Sequence, residues 1–253
     1  MEDIGKELLK QIKKDFGERY KNSSTIKNLL EKLKNKNATY DDAHTFAIEC
    51  GKLLSESYMV FISADSLPDG RMYWNIAETI LRPTLGRDYD IIVDYSIKVQ
   101  KDLNKAAKLG LEAIKPALNQ DKVYGIMNKV ANAESFDDVA WILNDPIITF
   151  SQSVVDDTMR ENVDFQARSG LHPTIKRIVM GDCCEWCASL AGTYKYPDDV
   201  PADFYRRHAH CRCRVMYNPK DGRGVQDSHT KKWFQDEAKK QARIEYSKRR
   251  SKQ

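Results

Sequence analysis

Apolar residues in the first two-thirds of the chain recur at the three-to-four spacing of helices that bury one face. Ile4, Leu8, Ile12 and Phe16 form one stripe with Leu9 beside them; Ile26, Leu29, Leu30 and Leu33 form a second after the turn-rich "KNSS". Phe46, Cys50, Leu53, Leu54 and Phe61 continue the period, which makes Cys50 a core thiol. "TYDD" from Thr39 and "SFDD" from Ser135 each place an acid three residues after a capping hydroxyl, the signature of a helix start. Turns at "LPDGR" (67–71) and "RPTLGRD" (82–88) set off a short amphipathic piece between them. Ile92, Tyr95, Val99, Leu103 and Ala106 then predict a long helix running towards Lys115, where Pro116 interrupts it. Further helices fit residues 123–131, 136–143 and 147–167, and no fixed-period repeat occurs.

The pattern changes after "ARSGLHPTIKR". Gly170 and Pro173 break the helical run, and "IKRIVM" reads as a short edge strand. From there to Pro219 the chain is rich in Cys, Gly, Pro, Tyr and Asp, with too little apolar surface to hold itself together. The expectation is a mainly α protein: a helical region over 1–167, a small α+β segment over 168–219, and a basic helix or tail over 220–253.

At 253 residues, with 41% apolar and 31% charged residues, the chain has a globular balance and needs no staples to fold. Its net charge of +4 is unevenly placed, since residues 231–253 hold nine Lys or Arg against three acids and leave the body near neutral. Trp233, Phe234, Ala238 and Ala242 give that tail a short apolar edge, compatible with a docking helix. No 18-residue apolar run suggests a membrane span, and "MEDIGKELLKQIKKDF" lacks the apolar core of a secretory signal. A reducing cytoplasm is the expected setting, in which clustered cysteines hold metal in preference to forming disulfides.

Five of the six cysteines fall in "GDCCEWCASLAG" and "RRHAHCRCRV". Cys184 and Cys187 form a C-x-x-C pair, and further on His208, Cys211 and Cys213 form H-x-x-C-x-C. Zinc takes four tetrahedral thiolate or imidazole ligands, and two intervening residues let a tight turn aim both members of a pair at one ion. Cys183 and His210 add to the candidates. The favoured set is Cys184, Cys187, His208 and Cys211, with Cys213 next, because successive side chains along a strand alternate in direction. A thioredoxin-like pair would want a βαβ context, and a zinc hydrolase or deaminase would want an open coordination position and a base. Neither H-E-x-x-H nor H-x-E occurs, nor a phosphate loop or G-x-S-x-G elbow. Asp182 and Glu185 flank the cysteines and are the acids an effector enzyme would use. The reading is a closed, structural zinc site, which makes the 168–219 segment zinc-stabilised and the protein no enzyme.

The stretch "ENVDFQARSGLHPTIKRIVMGDCCEWCASLAGTYKYPDDVPADFYRRHAHCRCRVMY" resembles the phage Mu F-like minor head proteins, or head morphogenesis proteins, of tailed phages and prophages. The family pattern is a C-x-x-C, a leucine-x-glycine turn, a variable stretch and H-x-x-C-R-C. Here these are Cys184 and Cys187, "SLAG" at 189–192, and His208, Cys211, Arg212 and Cys213. The likeness covers roughly residues 160–218. It implies a virion component in few copies, made in the host cytoplasm, built in during prohead assembly and lying inside the head beside portal and capsid proteins. Some relatives carry a C-terminal toxin, for which the residues after the cysteine segment are too few. The basic tail would lie along the portal, the inner capsid wall or packaged DNA. A nucleic-acid-binding zinc module is the alternative, suggested by Arg206, Arg207, Arg212 and Arg214 around the ligands.

Overall fold

The computed structural model describes residues 4–181, 184–208 and 210–219. Six helices build the body: α1 (Ile4–Asn22), α2 (Ser24–Lys34), α3 (Tyr40–Phe61), α4 (Trp74–Ala106), α5 (Gln120–Ala131) and α6 (Asp145–Arg168). The C-terminal segment adds β1 (Thr174–Ile178), a one-turn helix α7 (Glu185–Ser189), β2 (Gly192–Lys195) and β3 (Arg214–Asn218). The class is thus mainly α with a small α+β segment. The docking helix expected within 220–253 lies outside the described residues.

The apolar stripes are the buried faces, except at Ile4, which is exposed at the start of α1. Leu8, Ile12 and Phe16 of α1 are buried, as are Ile26 and Leu29 of α2, while Leu30 turns outward. Cys50 is fully buried in α3. Thr39 opens α3 with the capping box its spacing predicts: its Oγ1 accepts from Asp42 N at 3.3 Å, and Asp42 accepts from Thr39 N at 2.9 Å.

Four local expectations are corrected. Residues 82–88 are not a turn but the middle of α4, which runs unbroken through Pro83. A proline costs a helix interior about 3 kcal/mol, and burial of Ile80, Leu81, Leu85, Ile92 and Val93 on the same helix outweighs it. α4 also stops at Ala106, short of Lys115, because Lys108 turns to a left-handed φ of 55°. Residues 136–143 form a turn and a short 3₁₀ helix (Ala140–Leu143) instead of an α-helix. There the Ser135 hydroxyl accepts from Asp137 N, a local turn, and Phe136 N donates to Gly70 O, pinning the buried ring to a distant loop. Finally, β1 is not an edge strand: the sheet order is β2-β1-β3, antiparallel throughout.

α3 and α6 are in tight contact at Gly51, where an added Cβ would lie 2.6 Å from Ser151 Oγ and 2.8 Å from Ile148 Cα. Ser151 Oγ donates to Asp88 Oδ2 at 2.6 Å, and burial pushes the Asp88 carboxyl up to about 7. The sheet is docked on the same two helices. From α3, His44 Nε2 meets the free edge of β3 at Val215 O (3.0 Å), with Val215 N at 3.2 Å. One nitrogen cannot serve both, and Nε2–H donating to the carbonyl leaves the buried, unpartnered Nδ1 as a lone pair instead of an orphan N–H. From α6, Gln166 accepts from Tyr217 Oη, which also takes Gln100 Nε2 of α4 at 3.3 Å. Among the described residues no helix is long and apolar enough to cross a membrane.

Candidate metal centre

The first half of the centre is a turn. Cys184 caps α7: its Sγ accepts from Cys187 N at 3.4 Å, which folds the two intervening residues so that both sulfurs point the same way. The second half arrives from the loop after β2. Phe204, fully buried with its ring edge-on to Tyr194, anchors that loop. His208 follows, its ring edge-on to Trp186 at 5.8 Å. His210 then adopts a left-handed φ of 59°, a turn that brings Cys211 and Cys213 back beneath Cys187 before β3 begins.

All five sequence-predicted residues come together. His208 Nε2 lies 3.2 Å from Cys184 Sγ and 3.0 Å from Cys187 Sγ, and Cys187 Sγ lies 3.9 Å from Cys211 Sγ. Cys187 belongs to two three-donor groups, one with Cys184 and His208 and one with Cys211 and Cys213; within each, the ligand atoms are all within 4.8 Å. Ligands at zinc's bond lengths, about 2.3 Å to sulfur and 2.0–2.1 Å to nitrogen, stand roughly 3.5–3.8 Å apart in a tetrahedron. Each three-donor group could hold a metal ion and the two share Cys187; the His208–sulfur distances are tighter than this spacing and the Cys187–Cys211 distance is slightly wider. Alternation does not set Cys213 apart, since residues two apart share a face and its thiol is buried beside Cys211. His210 is elsewhere: its imidazole is 73% exposed and pairs with Asp145. Glu185 is exposed in the first turn of α7. Cys183 and Asp182 lie outside the described residues.

Without a cation among them, the clustered thiols resist ionising together. Burial, with Cys213 and Cys211 alongside, pushes the Cys187 thiol up to about 12, and burial also raises Cys213. At Cys211 burial opposes ionisation as well, but the Arg207 charge and hydrogen bonds from Cys213 and Cys187 together overcome it and lower the thiol. A divalent ion would reverse this balance by binding the thiolate forms.

Sequence reasoning missed the residues that hold the centre in place. Arg177, 2% exposed on central strand β1, donates to the carbonyls of Phe204 and Arg206 (3.1 Å for the latter) and approaches Cys187 Sγ at 3.7 Å and Cys211 Sγ at 3.9 Å. Its guanidinium also lies over the Trp186 ring, 5.5 Å from the centroid. Opposite it in the sheet stands Gly192 (φ 155°), where an added Cβ would press on the Tyr194 ring at 3.2 Å. Arg207, buried, donates to both oxygens of Asp156 on α6 (2.5 and 2.9 Å), to Cys213 O at 2.7 Å and towards Cys211 Sγ at 3.8 Å. Against burial, the Arg207 charge and hydrogen bond together with His44 and Lys122 hold the Asp156 carboxyl below its ordinary value, and His44 Nε2 stands 3.8 Å from that carboxylate. One signal for Arg177 was present: strand alternation from Ile175 sends position 177 inward.

Comparison of the chain with protein-family models, characterised proteins and solved structures finds no match.

Proposed function

We propose that this chain is a minor head protein of a tailed phage or prophage, in which a structural zinc clips together the two halves of the C-terminal segment that docks on the helical body. One observation carries the metal part: two half-sites far apart in sequence meet at Cys187, whose Sγ lies 3.0 Å from His208 Nε2 and 3.9 Å from Cys211 Sγ. Zinc would be held by Cys184, Cys187, His208 and Cys211, with Cys213 as the competing fourth thiolate. Its chemistry there would be structural, since binding free energy becomes folding free energy when the site does not exist in the unfolded chain. The virion part rests on the exact wording of "CEWCASLAG" and "HAHCRC", on which the likeness to the Mu F-like proteins stands. Portal and capsid proteins would be its neighbours, and packaged DNA a contact of the basic tail.

The alternative of a nucleic-acid-binding module draws less support from the arginines that suggest it. Arg207 is buried on Asp156, Arg212 pairs with Asp145 at 2.5 Å, and Arg214 pairs with Asp41. Arg206 is 73% exposed but stands within 3.7 Å of Asp203. Two measurements test the proposal. Metal analysis of the purified chain should find one zinc per chain, and mass spectrometry of particles purified from the encoding phage or induced prophage should find the chain in heads. Its absence from particles that contain portal and capsid protein would end the virion reading; a duplex-DNA titration at two salt concentrations showing steeply salt-dependent binding would favour the alternative.

A further inference from the structure

Among the described residues, Arg177 is a buried cation with no carboxylate beside it. Its hydrogen-bond partners are two backbone carbonyls and two cysteine sulfurs, its Nε has no partner, and no acid among the described residues reaches it within ion-pairing distance. The other buried arginine at the centre, Arg207, is by contrast neutralised by a two-pronged bond to Asp156. A lone buried charge is costly unless an opposite charge stands beside it. The nearest candidates for that charge are the sulfurs of Cys187 and Cys211, one from each half-site.

We infer that Arg177 is the counter-charge of the metal centre, and that it fixes the ligand set at three thiolates and one imidazole. This rests on the zinc reading above. A divalent ion with three thiolates carries a net charge of −1, which Arg177 cancels; with four thiolates a charge of −1 would remain after Arg177, and with two thiolates and two imidazoles the arginine would be unbalanced. His208 is therefore a ligand, and one cysteine remains a thiol. Cys211 and Cys213 both stand beside Cys187, and the approach of both guanidinium groups to Cys211 assigns the third thiolate to it and the thiol to Cys213. Arg177 acts through the ligands and is a positioning residue: its grip on the Phe204 and Arg206 carbonyls also holds the loop that presents His208. In the metal-free chain the described residues offer this cation only carbonyls, thiols and the Trp186 ring, which ties ordering of the segment to the metal.

The test is a double-mutant cycle on the full chain, with zinc and cobalt(II) affinities read by chelator competition. Arg177→Met should weaken metal binding 10- to 100-fold, the range found when a partner behind a ligand is removed. In a Cys184→His background, whose centre is already neutral, the same substitution should change affinity by less than about threefold, because no net charge remains for Arg177 to cancel. Equal losses in both backgrounds would show a merely structural arginine and overturn the inference. If Arg177→Met does not fold, Arg177→Lys and Arg177→Gln carry the comparison: the lysine should bind metal more tightly than the glutamine with three thiolates present, and no more tightly with two. The thiolate-to-cobalt absorption of Cys213→Ser should equal that of the unsubstituted protein, and a loss of a third or a quarter of that band would overturn the ligand set. Metal binding that Arg177 does not influence sinks this inference alone, whereas an unsubstituted chain that binds no metal sinks the zinc reading with it.

Discussion

Two buried titrating groups in the helical body should pull stability in opposite directions as pH falls. His44, fully buried on α3 against Val215, has its pKa lowered from 6.5 to about 4, chiefly by burial. Asp88, fully buried on α4 against Ser151, has its pKa raised from 3.8 to about 7, again by burial. Between pH 7.5 and pH 5 the unfolded chain takes up a proton on His44 that the folded chain refuses. Stability from His44 is thus complete above pH 6.5 and is lost as pH falls towards 4, by about 2 kcal/mol at pH 5. Asp88 runs the other way. Its ionised form destabilises the fold above about pH 7, and the folded chain takes up a proton that the unfolded chain does not, so that stability rises by about 2 kcal/mol at pH 5. In the unsubstituted protein the two nearly cancel. His44→Gln should therefore make the protein more stable at pH 5 than at pH 7.5 by about 2 kcal/mol relative to the parent, and Asp88→Asn less stable by a similar amount. Urea unfolding followed by far-ultraviolet circular dichroism at both pH values measures this. Protonation of the Cys/His centre contributes equally to all three proteins and drops out of the differences. Parallel pH dependences in parent and variants would refute the assignment of the two shifts to burial.

Other outcomes follow from single contacts. Asp156→Ala strands the buried Arg207 guanidinium and should cost about 3–5 kcal/mol in unfolding free energy, with Asp156→Asn costing less. Gly51→Ala drives a methyl into Ile148 Cα and Ser151 and should destabilise by about 1–3 kcal/mol. Gly17→Ala meets nothing within 4 Å on helix α1 and should stabilise by about 0.5–1 kcal/mol; a thermal melt separates the two signs. Chelation, or Cys187→Ala, should abolish amide-exchange protection in β1, β2 and β3 while α4 keeps its own and the helical dichroism barely changes. Uniform loss of protection across α4 would show that the centre holds up the whole chain.

The helical stripes were legible because a 3.6-residue period is a local property: a face that must be buried declares itself within one turn of its neighbours. The same holds for the Thr39 capping box and for the two Cys/His half-sites, whose ligands lie two or three residues apart. Reading failed where a distant partner overrode a local rule. Pro83 and Gly86 look like a turn, yet burial along a 33-residue helix outweighs them. "SFDD" looks like a helix start, yet Phe136 is claimed by Gly70. "IKRIVM" looks like an edge because both strands that cover it come later in the chain. The candidate centre divides along the same line. Its donors could be named from their spacing alone, since metal chemistry selects few residue types. The setting around them was invisible there: Arg177 held on the Phe204 carbonyl, Arg207 locked on Asp156, and His44 closing the edge of β3 are each made by residues 27 to 171 positions apart. Charge balance in a low-dielectric interior depends on which groups are neighbours in space, and only the folded chain decides that.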